Sequence, residues 1–418
     1  MSPRIAIVGT GIAGLTAARL LQRRHDITVF ERDRRIGGHS HTVVVADGAG
    51  ELGVDTGFIV FNRRTYPNFT RMLEILGVAT QPGDMSFSFR DDGTGLEYGA
   101  PEPWRLFAQP GNLVRPSFHH MVREILRFYR DASAWLEQAD EGTVLEEFLA
   151  ERGYSHDFIE SHLYPVCAAI WSSPHAAMGR YPAAALFRFF ANHGLLSLTG
   201  RPQWRTVTGG SRRYVERLTD PFRDRIRTGT PVVRIVRDRD GVSIHTPEGG
   251  PERFDQVVLA CHADQALAML DAPTAREAEV LAAFPYAANE TVLHSDTRIL
   301  PRRRLAWASW NYHRGAGGDR AVTMTYDQNR LQRLRSERRY LVTLNRTTDL
   351  DPALVHARMN YEHPQYDARA VRMQAAVDEL NGTNRTWYCG AYWGYGFHED
   401  GVVSGLRVAR AFGEELEP

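Results

Sequence analysis

A dinucleotide-binding β-α-β unit is predicted at the start of the chain. Arg4 to Val8 is a short apolar segment typical of a buried parallel strand. A glycine-rich turn with the spacing G-x-G-x-x-G follows, then a helical pattern from Leu15 to Arg24 and a second strand from Asp26 to Phe30. Such a turn brings the backbone and a helix N-terminus close to a pyrophosphate, and Glu31 can accept hydrogen bonds from a ribose. The turn consists of Gly9, Gly11, Ile12, Ala13 and Gly14.

A second glycine pair, Gly37 and Gly38, favours FAD over NAD. The run from Glu31 to Gly38 resembles the extension R-x-G-G-R of flavoproteins in the amine oxidase, phytoene desaturase and protoporphyrinogen oxidase superfamily. There the paired glycines let the chain pass close to the diphosphate, and an arginine such as Arg35 helps to neutralise it. This chain has His39 where the last arginine is expected, so a weaker, titratable donor replaces one charge. A plain NAD turn followed by a loop is the alternative.

Two further segments resemble the same superfamily. "GVDTGFIVFN" (Gly53 to Asn62) is similar to the segment that runs beside the flavin ring. "TWYCGAYWGYGFHEDGVVSGLRVARAF" (Thr386 to Phe412) is similar to the closing motif, in which a helix beginning near Gly401 presents free N–H groups to the flavin. The resemblance implies non-covalent FAD, bound by the residues of the first turn together with Glu31, Arg32, Arg35, Gly37, Gly38, His39, Ser40, Thr56, Gly57, Phe58, Val233, Gly390, Gly401 and Val402.

The resemblance implies an α/β fold with a Rossmann-like FAD-binding domain of the glutathione-reductase and amine-oxidase type. An inserted mixed α+β substrate domain is expected. The FAD-binding domain is predicted to be discontinuous, over residues 1–75, 203–270 and 376–418. The substrate domain is predicted over residues 80–200 and 275–375, with hairpin-like stretches ("MSFSFRDD", "LEYGA") and amphipathic helices ("FHHMVREILRFYRDASAWLEQAD").

Charge and composition exclude several classes of protein. The 50 basic and 50 acidic side chains balance, so no nucleic-acid partner is expected. Every one of these basic residues is arginine. Three scattered cysteines do not fit a disulfide framework, and no histidine has the spacing of a metal ligand. No signal peptide or membrane-spanning run of roughly 18 apolar residues is recognisable, so we expect a cytoplasmic protein.

The whole pattern, including "NRLQ" (Asn329 to Gln332), is similar to flavin-dependent oxidoreductases near the amine oxidases, some of whose relatives desaturate, oxidise or isomerise unsaturated fatty acids. This implies an FAD-dependent oxidoreductase that transfers hydride between flavin and an apolar substrate, with an unsaturated fatty acyl chain as first choice. Amine oxidases typically hold a water near the flavin with a lysine, so an amine oxidase lacking lysine is the second hypothesis. A non-catalytic flavin-holding subunit of a lipid-modifying system is the third. The expected partners are a lipid substrate and peripheral membrane lipid, and the electron acceptor stays open.

Hydride transfer needs proximity and a dry site more than catalytic side chains. The candidates are Tyr395 and His398, before the last helix, and Tyr326 in "TMTYDQN"; each also fits a buried structural role. Trp393, Tyr395 and Phe397 would form an aromatic cage or the end of a hydrophobic tunnel. The apolar segments "YPVCAAIWSSP" and "RYPAAALFRFFANHGLL" fit either core helices or the wall of an acyl channel, with Arg180 and Arg188 near a headgroup.

Overall fold

The computed structural model describes residues 2–48, 50–316 and 323–416. The strands are β1 (Arg4–Val8), β2 (Asp26–Phe30), β3 (Thr42–Asp47), β4 (Gly50–Asp55), β5 (Phe61–Asn62), β6 (Thr80–Pro82), β7 (Phe87–Asp91), β8 (Glu97–Ala100), β9 (Trp204–Val207), β10 (Ile226–Arg227), β11 (Arg234–Asp238), β12 (Gly241–His245), β13 (Glu252–Phe254), β14 (Gln256–Leu259), β15 (Tyr286–His294), β16 (Trp310–Arg314), β17 (Met324–Asp327), β18 (Leu341–Leu344), β19 (Val355–Pro364) and β20 (Thr386–Tyr388). The α-helices are α1 (Ile12–Leu21), α2 (Pro67–Ile75), α3 (Pro103–Leu106), α4 (Pro116–Trp135), α5 (Leu145–Glu151), α6 (His156–Phe158), α7 (Tyr164–Trp171), α8 (Ala183–Asn192), α9 (Arg212–Thr219), α10 (Ala263–Met269), α11 (Ala275–Leu281), α12 (Gln328–Leu331), α13 (Ala368–Met373), α14 (Val377–Leu380) and α15 (His398–Ala411).

A five-stranded parallel sheet, in the order β10-β2-β1-β14-β20, contains the predicted β-α-β unit. In β1, Ile7 pairs with Val29 of β2 on one side and with Val258 of β14 on the other. All three side chains are fully buried, as is typical of continuous apolar strands in a parallel sheet. Because the strands run the same way, the residues that follow β1, β2, β14 and β20 meet at one edge. That edge is where a dinucleotide is expected.

A seven-stranded sheet, in the order β19-β15-β18-β17-β16-β7-β8, forms the second large layer. Its neighbouring strands are antiparallel except β16 and β7, which are parallel. The predicted hairpin is present as β7 and β8, and the predicted amphipathic helix is present as α4. Side chains of α4, α5 and α8 meet in one core, where Phe148 lies 4.7 Å from Phe187 between ring centroids.

The strands of the two large sheets come from different parts of the chain. Those of the parallel sheet lie within residues 1–75, 203–270 and 376–418, and those of the seven-stranded sheet lie within residues 80–200 and 275–375. The exact domain boundaries remain a prediction. None of the helices formed by the described residues is long and apolar enough to cross a membrane.

The last helix begins earlier than the sequence pattern predicts. It starts at His398 rather than near Gly401, because the Asp400 carboxylate accepts a hydrogen bond from the Phe397 N–H (2.8 Å) and so caps the first turn. The Gly401 N–H already donates to the Phe397 carbonyl (3.1 Å). The expectation that Gly401 presents a free N–H is therefore wrong.

Candidate active site

The turn between β1 and α1 is shaped by its glycines. At Gly9 the backbone φ is +108°, and a Cβ atom there would lie 2.6 Å from the carbonyl oxygen of Ala260. A Cβ atom at Gly14 would collide with the Gly9 carbonyl, so the fold itself requires both glycines. A Cβ atom at Gly11 would meet no other atom within 4 Å. Gly11 serves no packing purpose, as expected of a position that leaves room for a phosphate.

Glu31, at the end of β2, is held in one orientation by neighbouring donors. Its Oε2 accepts from the Thr10 N–H (3.0 Å) and from the Thr10 hydroxyl, and its Oε1 accepts from the Asp33 N–H (3.0 Å). The first residues of α1, Ile12 and Ala13, are buried. Carboxylate oxygens accept more than one hydrogen bond each, so Glu31 retains capacity for the predicted ribose.

The loop that carries the second glycine pair packs directly on the first turn. The Gly37 N–H donates to the Thr10 carbonyl (3.1 Å), and a Cβ atom at Gly38 would lie 3.0 Å from the Cα of Gly11. Arg35 Nη1 donates to the Gly38 carbonyl (2.6 Å). The first glycine turn and the pair Gly37 and Gly38, which are separated in sequence, thus form one continuous backbone surface.

The side chain of His39 lies in a cluster of rings. Its ring centroid is 5.2 Å from those of Tyr361 and His363, on β19, and 6.5 Å from that of His262, which follows β14. Its Nε2 atom is buried and has no hydrogen-bond partner among the described residues. An unpaired buried nitrogen costs about 1–3 kcal/mol, so this atom fits a site where a bound group supplies the partner.

The histidines of this cluster are neutral at pH 7. Burial lowers the pKa of His39 and of His262 to about 4, and repulsion from Arg35 and Arg32, respectively, acts in the same direction. Burial and the neighbouring His39 lower the pKa of His363 to about 3. Where the sequence predicts a titratable charge, His39 instead offers a neutral imidazole.

The segment after β4, predicted to run beside the flavin ring, packs along the loop that carries His39. The Phe58 N–H donates to the His39 carbonyl (2.7 Å), and a Cβ atom at Gly57 would collide with that carbonyl. The Thr56 hydroxyl lies 2.8 Å from the Tyr361 hydroxyl. The predicted residues of this segment therefore lie together with His39.

His398, one of the catalytic candidates, is fixed on both sides at the start of α15. Its Nε2 lies 2.7 Å from the Tyr214 hydroxyl and 3.2 Å from the Ser40 hydroxyl, and its ring stacks on Phe58. Burial lowers the pKa of His398 well below its ordinary value. His398 is an uncharged residue that ties the last helix to both loops.

These features are matched by a known family. The family model of the flavin-containing amine oxidoreductases matches residues 12–298, well over half of the chain. The chain belongs to this family. Its cofactor is FAD, and the family and the cofactor predicted from the sequence are confirmed.

Two curated members of the family give the level of sequence similarity. Tryptophan 2-monooxygenase of Pseudomonas savastanoi is 25% identical over 343 residues, which cover 71% of this chain and 59% of that protein. Amine oxidase A of Canis lupus familiaris is 23% identical over 272 residues, which cover 58% of this chain and 46% of that protein. This flavin-containing amine oxidoreductase thus spans about half the length of these relatives.

Solved structures match almost the whole chain. Cyclohexylamine oxidase from Brevibacterium oxydans has a TM-score of 0.70 at 16% identity, with 98% of both chains covered. A fatty acid isomerase from P. acnes that produces CLA has a TM-score of 0.66 at 18% identity, with 98% of this chain and 99% of that chain covered. Such likeness establishes the fold, and the predicted α/β class is confirmed.

The other two catalytic candidates of this amine oxidoreductase have different aromatic neighbours. Tyr395 lies against Phe189 of α8 (5.5 Å between centroids), and its carbonyl accepts from the Trp171 indole N–H (3.1 Å). Tyr326, on β17, meets Trp310 edge-on at 5.0 Å, and burial raises its pKa to about 12. A catalytic role for either residue remains a prediction.

The aromatic residues predicted to form a cage or a tunnel end, Trp393, Tyr395 and Phe397, do not all face the same neighbours. Phe397 lies 4.9 Å from Phe189, on the side of α8, whereas Trp393 lies 5.3 Å from Phe284 on a different surface of the loop. The three loop aromatics therefore do not form one cage. Arg188, which the sequence places near a headgroup, pairs through both of its terminal nitrogens with the Glu141 carboxylate at the surface, so a headgroup would compete with Glu141.

The remaining predicted FAD contacts lie in several different elements. Arg32 is exposed and lies 3.7 Å from the Asp33 carboxylate. Val233 is half exposed, and its N–H donates to the His245 carbonyl (2.9 Å). Gly390 follows β20, and its N–H donates to the Ser404 hydroxyl (3.0 Å). Gly401 and Val402 are buried in the first two turns of α15.

The sequence pattern does not single out two carboxyls of the site, Asp55, which is buried, and Asp400, which is half-buried. Burial raises the pKa of Asp400 to about 7, so a carboxyl that titrates near neutrality lies in the first turn of α15. Burial likewise raises the pKa of Asp55 to about 6, although donors from Ser211, Thr42 and Gln332 hold it. An acidic residue three positions into a helix was the available signal for Asp400.

Proposed function

We propose that this protein is an FAD-dependent oxidoreductase acting on an apolar substrate, with an unsaturated fatty acyl chain as the substrate class. FAD, when bound, accepts a hydride from a C–H bond or returns it to carbon. A new double bond would form where the carbon next to the one that gives up the hydride also loses a proton to solvent, with the reduced flavin then reoxidised by an external electron acceptor. A moved double bond would form where the hydride returns to a different carbon of the substrate. The carboxyl edge of the parallel sheet, with the glycine turn, Glu31 and His39, would hold the cofactor.

A group of aromatic rings from α7, α8 and the chain between them packs over the loop before α15. This aromatic cover is the observation that supports the proposal. Trp171 of α7 and Phe189 of α8 lie 4.8 Å apart between centroids, and Phe397 lies within 4.9 Å of Phe189 and 6.1 Å of Trp171. Tyr181 extends the cover, 4.9 Å from Trp171. Such a surface excludes water and suits a hydrocarbon chain.

A neutral histidine packs against this cover. His193 stacks on Phe189 at 3.9 Å, and burial lowers its pKa to about 4, so its imidazole is neutral at pH 7. Tyr181 and Tyr395 add phenols beside Trp171 and Phe189, and the Asp400 carboxyl, whose pKa burial raises to about 7, lies near Tyr395. A largely apolar surface favours an acyl chain over a permanently charged substrate.

Oxidation of an amine is the second candidate, and the sequence relatives favour it. Both curated relatives described above act in amine or amino-acid oxidation by their names. The chain has no lysine, so an amine oxidase of this kind would have a rearranged site. The fatty acid isomerase among the structural matches supports the first candidate at the level of the fold.

Anaerobic bleaching of the flavin near 450 nm tests the two candidates. The FAD-loaded protein is offered, in turn, unsaturated fatty acids, their phospholipids and a panel of amines, with saturated fatty acids as a matched control. Bleaching by an unsaturated lipid alone supports the acyl-chain reaction, and bleaching by amines alone overturns it. If nothing bleaches the flavin, product analysis of the lipid incubations separates a redox-neutral isomerase from a non-catalytic subunit.

A further inference from the structure

Four large apolar side chains are strongly exposed on three segments that lie outside the parallel sheet. Trp104 is 60% exposed, Leu113 57%, Val114 83% and Leu305 53%. The first belongs to α3, the next two to the turn that precedes α4, and the last to the 3-10 turn Arg304–Ala306. Single exposed apolar side chains are ordinary, so the position of these four relative to one another decides what they indicate.

Helix α3 contacts both of the other segments. Arg105 Nη1, in α3, donates to the Trp307 carbonyl (2.8 Å), directly after the 3-10 turn. The side-chain amide of Asn112, in the turn before α4, donates to the Leu106 carbonyl at the end of α3 (3.4 Å). These contacts bring the three segments together on one part of the surface. We call the side chains of Trp104, Leu113, Val114 and Leu305 the apolar patch.

Arginines border the apolar patch. Arg302, Arg303 and Arg304 are consecutive and exposed, and they directly precede the last residue of the patch. Arg302 pairs with the Asp92 carboxylate at 3.4 Å. In the part of the chain that the structure describes, Arg303 and Arg304 form no ion pair, and neither does Arg115, the residue after the exposed turn. The guanidinium groups beside the patch are thus left to attract an external anion.

This excess of positive charge is local. The 50 basic and 50 acidic side chains of the whole chain balance. Glu102, the acidic residue close to Trp104 in sequence, is already paired with Arg105 at 2.8 Å. A second copy docked through the same patch would bring like charges together, which is unfavourable. An anionic surface, in contrast, complements the arginines while it buries the apolar side chains.

We propose that the apolar patch docks this protein on an anionic lipid bilayer. The four apolar side chains lie in the interfacial layer, where tryptophan is favoured, and Arg303 and Arg304 lie against the phosphate groups of the lipids. Such contact is peripheral and needs no helix that crosses the membrane. The inference does not depend on which substrate the flavin oxidises.

Cosedimentation of the FAD-loaded protein with lipid vesicles tests this. Vesicles of phosphatidylcholine mixed with phosphatidylglycerol are compared with vesicles of phosphatidylcholine alone, each at low and at high ionic strength. We expect binding to the mixed vesicles that weakens as salt screens the headgroup charge, and much weaker binding to phosphatidylcholine alone. No binding to the mixed vesicles, or equal binding to both kinds, would overturn the proposal.

Variants of the apolar side chains assign the contact to the patch. Trp104→Ser and the double variant Leu113→Ser/Val114→Ser should each weaken vesicle binding by at least about fivefold, because less apolar surface is buried. Leu198→Ser is the matched control, since this residue is 68% exposed on the loop after α8, and it should bind within about twofold of the natural protein. The flavin absorbance checks that each variant is folded. Equal binding of the patch variants and the control would show that the patch is not the docking surface.

Variants of the arginines test the charged part of the contact. Arg303→Gln/Arg304→Gln should weaken binding to the mixed vesicles by about fivefold for each arginine removed and should reduce the salt dependence. Arg239→Gln is the matched control, because this side chain is 93% exposed in the turn between β11 and β12. The same affinity and salt dependence in both variants would contradict the proposal. A dimer that Trp104→Ser abolishes in gel filtration, with no vesicle binding by the natural protein, would make a second copy the partner instead.

Discussion

The imidazole of His398 lies parallel to the ring of Phe58, with the centroids 3.5 Å apart and the planes inclined by 6°. One residue begins α15 and the other follows β4, so the stack joins the last helix to the strip predicted beside the flavin. Tyr214 and Ser40 hold the same imidazole from its Nε2 edge.

His398→Phe should keep the stack but lose the hydrogen bonds, at a cost of about 1–2 kcal/mol in the free energy of unfolding. His398→Ala also leaves a cavity and should cost about 2–3 kcal/mol more. Urea unfolding of both variants measures this. Equal stability of the two variants would show that the stack contributes nothing. Loss of turnover in a His398→Phe variant that retains FAD would make His398 catalytic.

Valine variants of Gly11 and Gly14 should affect different properties, FAD binding in the first case and folding in the second. Gly11→Val should fold with an unchanged thermal midpoint of the FAD-free protein but lose FAD, because the new side chain enters the space left for the phosphate. Gly14→Val should fail to fold, because its Cβ atom collides with the Gly9 carbonyl. Circular dichroism and the FAD released on denaturation report the two effects. Full FAD occupancy in Gly11→Val would contradict the placement of the phosphate.

The free energy of unfolding should depend on pH through the ionisation of Asp400. Its folded pKa of about 7 lies above the unfolded value near 3.8, so the folded state binds the proton more tightly between these values. Ionisation therefore destabilises the protein as pH rises from about 4 to 7, by up to about 4 kcal/mol. Buried neutral histidines have the opposite effect, so the comparison is with Asp400→Asn, which can still accept from Phe397. The stability of Asp400→Asn relative to the natural protein should rise over this range; parallel profiles would show that Asp400 does not titrate there.

The buried ion pair between Arg237 and Glu277 should be sensitive to removal of one partner. Arg237 Nη2 lies 3.0 Å from Glu277 Oε2, both side chains are buried, and Tyr388 donates to the same carboxylate (2.6 Å). Arg237→Met should cost about 3–5 kcal/mol, because it leaves Glu277 charged and unpaired. The double variant Arg237→Met/Glu277→Gln should recover part of this loss. If Arg237→Met is as stable as the double variant in urea unfolding, the unpaired Glu277 carboxylate does not destabilise the fold.

The parts of the site made by short stretches of chain could be predicted from the sequence. The glycine spacing, Glu31 and the second glycine pair lie within one β-α-β unit, where strand and helix lengths fix which residues meet. The cluster around His39 could not be predicted in this way. Its partners come from residues 262, 361 and 363, and only the pairing of β15 with β19 and the end of β14 bring them to the same edge.

The loop before α15 shows a second limit of prediction from the sequence. The sequence identified its aromatic residues but not the direction of each side chain, and Trp393 and Phe397 face different neighbours. Irregular loops have no fixed side-chain period, unlike helices and strands. The start of α15 was misplaced for a related reason, since its cap uses an aspartate after a phenylalanine rather than a serine or threonine before the helix.

The contact between α1 and α15 has a consequence for the order of events during synthesis. A Cβ atom at Gly401 would lie 2.6 Å from the Ile12 side chain, and one at Gly405 would lie 2.5 Å from the Ala13 carbonyl, so the two helices touch backbone to backbone. The glycine turn leaves the ribosome hundreds of residues before its helical neighbour does. The pocket for the cofactor is thus finished after translation of residues 398–411, and a message that stops short of them yields a chain that cannot retain the flavin.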